Sequence, residues 1–431
     1  MIYFFVICVG LVLIINYFIN NSEPIAPSVL FTTGFFLMSV FAAINAKKWD
    51  FELDTNTFIL VLGSIVEFSI CCWCSKKFFQ RNVTTDSKDF NISIIKSRKL
   101  LLFFVVLFNL LYVLLEIRRK TGITNPIMAA NYLNASSRRL NNTLSLSGRA
   151  SIATLANISI CLWSEWNFSK ILFMRKKIDY GLLGIILISI LTPLLNGGRN
   201  DTITCFISLY IFLYFAFKLK YGNANRSKNK KFLVISVISI IIGLVILPWT
   251  ATVVGRNVSQ YSSFDYVSIY IGAELKNLSV FIQNSVFPVD TSVWGSHTFY
   301  ALIPVISSWF GLDIPRYLVY LPFQYVNGYN LGNVYTTFYP WLYDFGYIGV
   351  IVMTFFVALI SQYIYTRGKE GIGDNRSIYP LLYGYFGAFI FLSFFADNLI
   401  QKISLNLIYI IIIWIILNHF LFKKSKDKVV K

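Results

Sequence analysis

Eleven apolar runs, each long enough to cross a bilayer, follow one another along 431 residues and leave little room for anything else. A helical span needs about 20 mostly apolar residues. The runs fall at 2–20, 25–46, 57–75, 99–117, 150–168, 179–195, 201–218, 232–252, 342–365, 378–396 and 402–422. Lipid offers no water to backbone groups, so runs of this length predict helices. The expected fold class is an all-α polytopic membrane protein with about 11 transmembrane helices, one integral membrane domain over 1–431. Composition agrees: the chain is 56% hydrophobic and 13% charged, where soluble domains are about 45–50% apolar and about 25% charged. The first run has no basic segment before it and enters Asn20-Asn21 without a small-residue cleavage site. It reads as a retained span rather than a signal peptide.

A net charge of +18 would suit nucleic acid, but the basic residues lie in short connections between apolar runs. The stretches 76–99, 170–177, 218–231, 367–376 and 423–431 hold 25 of the 38 Lys and Arg residues. With eleven spans they share one side, which the positive-inside bias assigns to the cytoplasm. The expected localisation is a membrane, multi-pass, with the N-terminus outside and the C-terminus cytoplasmic. No nucleic-acid partner is expected. Cys8, Cys71, Cys72, Cys74, Cys161 and Cys205 all lie in or at the end of apolar runs, so neither a disulfide framework nor a cysteine-based metal site is expected.

Two predicted outer loops are too long to be simple turns. The first, 118–149, carries Arg118, Arg119, Lys120, Arg138, Arg139 and Arg149 with no acidic residue. The second, 253–341, is rich in aromatic residues, including Tyr300, Tyr325 and Trp341. Long loops with their own composition usually carry function. Within the second, 264–283 predicts an amphipathic helix, and 298–310 is apolar enough to dip into a bilayer but too short to cross it. Aromatic faces stack on sugars and also populate membrane interfaces.

The turn Asn196-Gly197-Gly198-Arg199-Asn200-Asp201 joins two runs at the outer side. Gly197 and Gly198 permit close backbone approach to a ligand. Asp201 or Thr202 is the expected cap of the next helix, whose first N–H groups favour anions. Arg199 adds a forked, permanent positive charge suited to phosphate. The competing reading is a tight turn with a snorkelling arginine, and for the other outer arginines it is contact with lipid head groups. Asp344 and Asp397 fall at the outer ends of the ninth and tenth spans, as proton acceptors or as capping and pairing groups. His297 is a candidate general base. Glu116 is expected to pair with Arg119, and Glu67 falls mid-span. Asp50, Glu52 and Asp54 alternate in one loop, balancing Lys47 and Lys48 or holding a divalent cation. The chain has no P-loop and no GxGxxG with an acidic ribose partner. No cytoplasmic stretch is large enough for a nucleotide-sugar domain, so a sugar donor would have to be lipid-linked.

Three stretches resemble the bacterial oligosaccharide repeat-unit polymerases, the Wzy-type O-antigen or capsular polysaccharide polymerases: Leu195-Asn196-Gly197-Gly198-Arg199, Gly295–Tyr300 running to Ile314-Pro315-Arg316, and Tyr339–Gly349. These motifs cover about 180–350, while the likeness in topology covers the whole chain. The resemblance implies a GT-C-like membrane fold. It implies transfer of a growing glycan from undecaprenyl diphosphate to the non-reducing end of a new lipid-linked repeat unit, outside the inner membrane. It names an undecaprenyl-diphosphate-linked oligosaccharide, membrane lipids and a chain-length regulator as partners. No cofactor or metal is called for, because fixed arginines can meet the charge of the leaving diphosphate. On this reading Arg199 and Arg316 hold the diphosphate, helped by Arg118, Arg119 or Arg256 with Gly197 and Gly198. Asp344, Asp397 or His297 activates the acceptor hydroxyl, and Tyr300, Tyr325 and Trp341 face the glycan. An O-antigen ligase has a similar build, and a repeat-unit flippase is the rival from another class, for which charges should line the bundle centre.

Overall fold

A computed structural model describes residues 1–80, 94–137, 146–195, 199–222, 261–289, 294–312 and 321–422, with scattered helical positions between 232 and 245. Among them, six helices are long and apolar enough to cross a membrane: Ile2–Ile19, Pro27–Ile44, Thr55–Phe79, Lys96–Thr121, Asn200–Tyr221 and Phe338–Gly373. Shorter apolar helices occupy Tyr180–Leu195, Tyr379–Phe394 and Leu405–Leu421. The chain is a multi-pass, helical membrane protein. The predicted run at 232–252 lies largely outside the described residues.

In chain order the helices are α1 (Ile2–Ile19), α2 (Pro27–Ile44), α3 (Thr55–Phe79), α4 (Lys96–Thr121), α5 (Pro126–Ser137), α6 (Gly148–Arg175), α7 (Tyr180–Leu195) and α8 (Arg199–Tyr221). They continue as α9 (Ser263–Asn284), α10 (Ile303–Phe310), α11 (Phe338–Glu370), α12 (Tyr379–Phe391), α13 (Asn398–Gln401) and α14 (Leu405–Leu421). A two-stranded antiparallel hairpin, β1 (Gln324–Val326) and β2 (Tyr329–Gly332), precedes α11. Its turn, Asn327-Gly328, has both residues at positive φ, the demand of a two-residue hairpin loop.

Polar side chains fasten the helices to each other. Asn16 of α1 donates to Thr32 Oγ1 of α2 at 2.9 Å and to Ser69 Oγ of α3 at 2.8 Å. Trp163 of α6 donates to Asn418 of α14 at 2.8 Å, and Trp414 returns a bond to the Ser159 carbonyl at 2.9 Å. Such bonds average about 0.6 kcal/mol within a membrane. Packing is tight where glycine allows it: a Cβ on Gly34 of α2 would come within 2.3 Å of the Phe391 carbonyl oxygen. Elsewhere α1 and α4 leave Phe4, Ile7, Leu11, Phe104, Phe108 and Leu111 exposed, apolar faces suited to lipid.

The described parts of the basic connections meet at one end. Glu23 pairs with Lys369 at 2.8 Å and Lys218 at 3.3 Å and accepts a bond from Tyr365. Lys170 donates to Asn375, Lys99 pairs with Asp179, and Asn418 donates to the Arg376 carbonyl. The opposite end gathers residues 45–54, α9, the hairpin, the 294–300 turn and the 395–402 connection. Lys48–Asp265 at 2.6 Å, Asn327 to the Lys48 carbonyl, and the stacked rings of Tyr270 and Phe395 join these parts.

Several local expectations change. Helix α6 is not an ordinary apolar span: it buries Asn157, Ser164, Glu165, Asn167, Ser169 and Lys170 while packing on α4, α7, α8, α12 and α14. Helix α9 matches the predicted amphipathic segment but is buried on most of its surface, because Gly272 lets α2 approach; a Cβ there would lie 2.7 Å from the Ala42 amide nitrogen. The predicted dipping segment becomes α10, with no buried residue and Trp309 and Phe310 largely exposed. Helix α8 starts at Arg199, so Asp201 lies inside its first turn rather than before it. Glu116 meets Lys120 at 3.8 Å, not Arg119, and takes bonds from Ser147. Asp54 caps α3 through the amides of Asn56 and Thr57, and Lys48 pairs with Asp265 instead of the acids beside it.

Candidate functional site

The three predicted acid–base residues converge at the end opposite the basic connections. Gly295 takes φ +78° and starts a tight helical turn, Phe299 N–H donating to the Gly295 carbonyl at 2.8 Å. The first amides of such a turn have no partner within it, and Asp344 supplies one. It accepts from the amide of Thr298 at 2.6 Å and from that of His297 at 3.1 Å. Asp344 can reach them because α11 breaks just beyond it, at Gly346, where φ is +66°. The carboxylate therefore holds the 295–300 turn rather than facing solvent. Its carboxylate thus makes the capping contacts that were one of its expected parts.

The imidazole of His297 lies over Tyr343, ring centroids 3.7 Å apart. Its Nδ1 is 3.0 Å from Ser296 Oγ and 3.5 Å from Asp344 Oδ1. Serine and aspartate meet the same ring nitrogen, which leaves Nε2 without a hydrogen-bond partner among the described residues.

Asp397 begins the short α13, in the connection between α12 and α14. Its oxygens accept from Trp341 Nε1 at 3.0 Å and Thr337 Oγ1 at 3.2 Å. The Thr337 amide in turn donates to the Ser393 carbonyl, fixing the start of α11 against the end of α12. Only 2% of Asp397 is exposed. Burial pushes its carboxyl up to about 7, against the two hydrogen bonds, with the nearby Asp344 charge adding to the rise. A carboxyl tuned to neutrality by a buried site fits proton transfer.

Lys402, on the far side of α13, pairs with Asp201 of α8 at 2.8 Å. Burial opposes its charge, but Asp201 and the hydroxyls of Tyr385 and Tyr300 outweigh it and hold the ammonium firmly protonated. Sequence reading passed over Lys402, the first residue of the predicted run at 402–422. It passed over Glu165 and Glu274 as well. Glu274 on α9 is fully buried with neither oxygen hydrogen-bonded among the described residues.

The other predicted residues divide. Trp341 is 1% exposed, so its ring has no face for a sugar; it positions Asp397 instead. Tyr300 and Tyr325 are exposed at 41% and 68% and keep a free face. Arg118 and Arg119 are exposed in the last turn of α4, a helix that packs on α5, α6, α7 and α14 rather than on α11. Gly122 at φ +70° ends that helix, whose carbonyl end favours cations whatever their function. Arg199 opens α8. Gly197, Gly198, Arg256 and Arg316 lie outside the described residues. No protein-family model, curated protein or solved structure matches this chain.

Proposed function

We propose that this protein polymerises lipid-linked oligosaccharide repeat units, as a Wzy-type O-antigen or capsular polymerase in the bacterial inner membrane. The observation that carries the reading is the meeting of His297, Asp344 and Asp397 with the Lys402–Asp201 pair at one end of the bundle, where α8 also begins with Arg199. On this reading the fold is GT-C-like with about 11 spans, the site end faces outward, and the basic end lies in the cytoplasm.

Asp397 or His297 Nε2 takes the proton of the acceptor hydroxyl, whose oxygen attacks the anomeric carbon of the growing glycan. The bond from that carbon to the diphosphate breaks, and undecaprenyl diphosphate leaves with the electron pair. Arg199, the N-terminal amides of α8 and Lys402 meet the charge that develops there. Arg316 and Arg256 are further candidates on the same loop system, and Tyr300 and Tyr325 offer rings to the glycan. No metal or cofactor is required in this scheme.

The decisive experiment complements a polymerase-deficient strain with Arg199→Ala at matched membrane abundance. The expected outcome is single repeat units on the lipid core, where the unaltered chain restores long polymer; unchanged polymer length sinks the proposal. Deletion of the chain from its own host separates the rival: loss of a polymerase leaves single repeat units on the core, whereas loss of a ligase leaves none. One observation favours a transporter: Glu165 is fully buried in the helix at the centre of the bundle, and an ionisable group there is a functional candidate by default. Under that reading Glu165→Gln stops lipid-linked units reaching the outer leaflet, whereas a polymerase leaves them there unjoined.

A further inference from the structure

Cys161 and Glu165 stand one turn apart on α6, and Cys205 faces them from α8. Their ligating atoms all lie within 4.8 Å of one another, and all three residues are buried. Cys161 Sγ is 3.3 Å from Glu165 Oε1, and the two thiols are close enough to share a hydrogen bond. Glu165 Oε2 has no partner among the described residues. We propose that Cys161, Glu165 and Cys205 form a binding site for a thiophilic metal ion of the zinc or copper(I) class.

The argument is one of charge and donor type. A carboxyl oxygen buried without a hydrogen bond costs several kcal/mol by transfer measures, and the fold has placed two sulfurs beside this one. Thiolates select zinc and copper(I), whereas magnesium and calcium prefer sites built from oxygen alone. Zinc entering here displaces one proton from each thiol, and copper(I) one proton in all; with Glu165 still protonated and ligating through its carbonyl oxygen, the charges sum to zero in either case. That is the form a low-dielectric interior tolerates best. Glu165 then supplies a third ligand oxygen, and three protein ligands leave one tetrahedral position open. Asp201 lies one turn above Cys205 on α8, so the ion would sit directly beneath the Asp201–Lys402 pair. The site has no sequence signature: two ligands four residues apart on one span and a third on another look like apolar-run cysteines, which is why none was expected. It stands independently of the polymerase reading.

The full-length protein, reduced and stripped with chelator in detergent, provides the test. Cys8, Cys71, Cys72 and Cys74 are first replaced by Ser, leaving Cys161 and Cys205. Cadmium is titrated and the thiolate-to-cadmium charge-transfer band followed in the near ultraviolet. One equivalent is expected to saturate the band. Glu165→Gln, which keeps side-chain volume, is expected to weaken binding by about 10- to 100-fold, the range for groups supporting a metal. Cys161→Ser and Cys205→Ser should each remove about half the band intensity, since each takes one of two thiolates. Bound cadmium should also shield both cysteines from a membrane-permeant maleimide, a readout that needs no further substitution and so holds if a serine variant misfolds. No band in the four-serine protein, a band indifferent to both cysteines, equal alkylation with and without cadmium, or a Cys161–Cys205 disulfide in the protein before reduction would each overturn the proposal.

Discussion

Trp341 donates its indole N–H to Asp397 across 3.0 Å, and both side chains are buried. The bond favours the charged carboxylate, while burial opposes it and sets the carboxyl at about 7. If Asp397 is the base, turnover requires the ionised form. Rate is therefore expected to rise with pH through about 7 and level off above it. Trp341→Phe removes one donor to a charged group, worth about 1.5 kcal/mol, and should move that midpoint upward by about one unit. Polymerisation of a purified lipid-linked substrate across pH 5–9 measures both. A midpoint unmoved by Trp341→Phe removes Asp397 from the proton-transfer role.

The same carboxyl predicts a stability profile. Its folded pKa of about 7 lies above the unfolded value of about 3.9. The favourable contribution of the buried, protonated group is complete below about pH 4 and is lost as pH rises through about 7. Asp397→Asn keeps an acceptor for Trp341 and carries no charge to bury. The variant is expected to melt above the unaltered protein at pH 8, with the gain shrinking to nothing near pH 4, and to be inactive throughout. Melting of the detergent-solubilised protein at the two pH values decides it; an equal gain at both would locate the effect elsewhere.

Asp344 and the 295–300 turn give a prediction of a different kind. Asp344→Ala strands two buried amides, those of His297 and Thr298, and a buried donor without a partner costs about 1–3 kcal/mol. The expected result is a lower melting temperature together with new proteolytic cleavage near residue 297. Because Asp344 acts through His297, its loss should also be largely bypassed when His297 is already Ala: the double variant should be no less active than His297→Ala alone. Additive losses would give Asp344 a direct role in the chemistry.

Topology was legible from the chain because lipid imposes one strong rule, that every spanning backbone group be satisfied internally. The described helices coincide with ten of the eleven predicted runs to within a few residues at most ends, and the described parts of the basic connections meet at one end. The positions of His297, Asp344 and Asp397 were legible as chemistry but not as an arrangement. Forty-seven residues separate His297 from Asp344, and their contact depends on a break at Gly346 that no periodicity announces. Trp341 shows the converse. Its residue type suggested a sugar platform, and only burial reveals that its N–H serves Asp397. Glu165 was hidden by its neighbours: the run at 150–168 reads as one more apolar span, although α6 packs on five other helices.

Lys402 offers the last prediction, since its role has two separable parts. It neutralises Asp201, with both side chains about one-third or less exposed, and under the proposed reaction it also faces the departing diphosphate. Lys402→Met should abolish polymer formation on either account, because it leaves Asp201 without its cation and destabilises the start of α8. Asp201→Asn in the same chain removes that unpaired charge. If Lys402 serves only Asp201, the double variant recovers both melting temperature and polymer length. If Lys402 stabilises the leaving group, melting temperature recovers while polymer length does not, and the defect is in kcat more than in KM because the charge it meets develops in the transition state. The second outcome is expected, and recovery of polymer length would restrict Lys402 to a structural part.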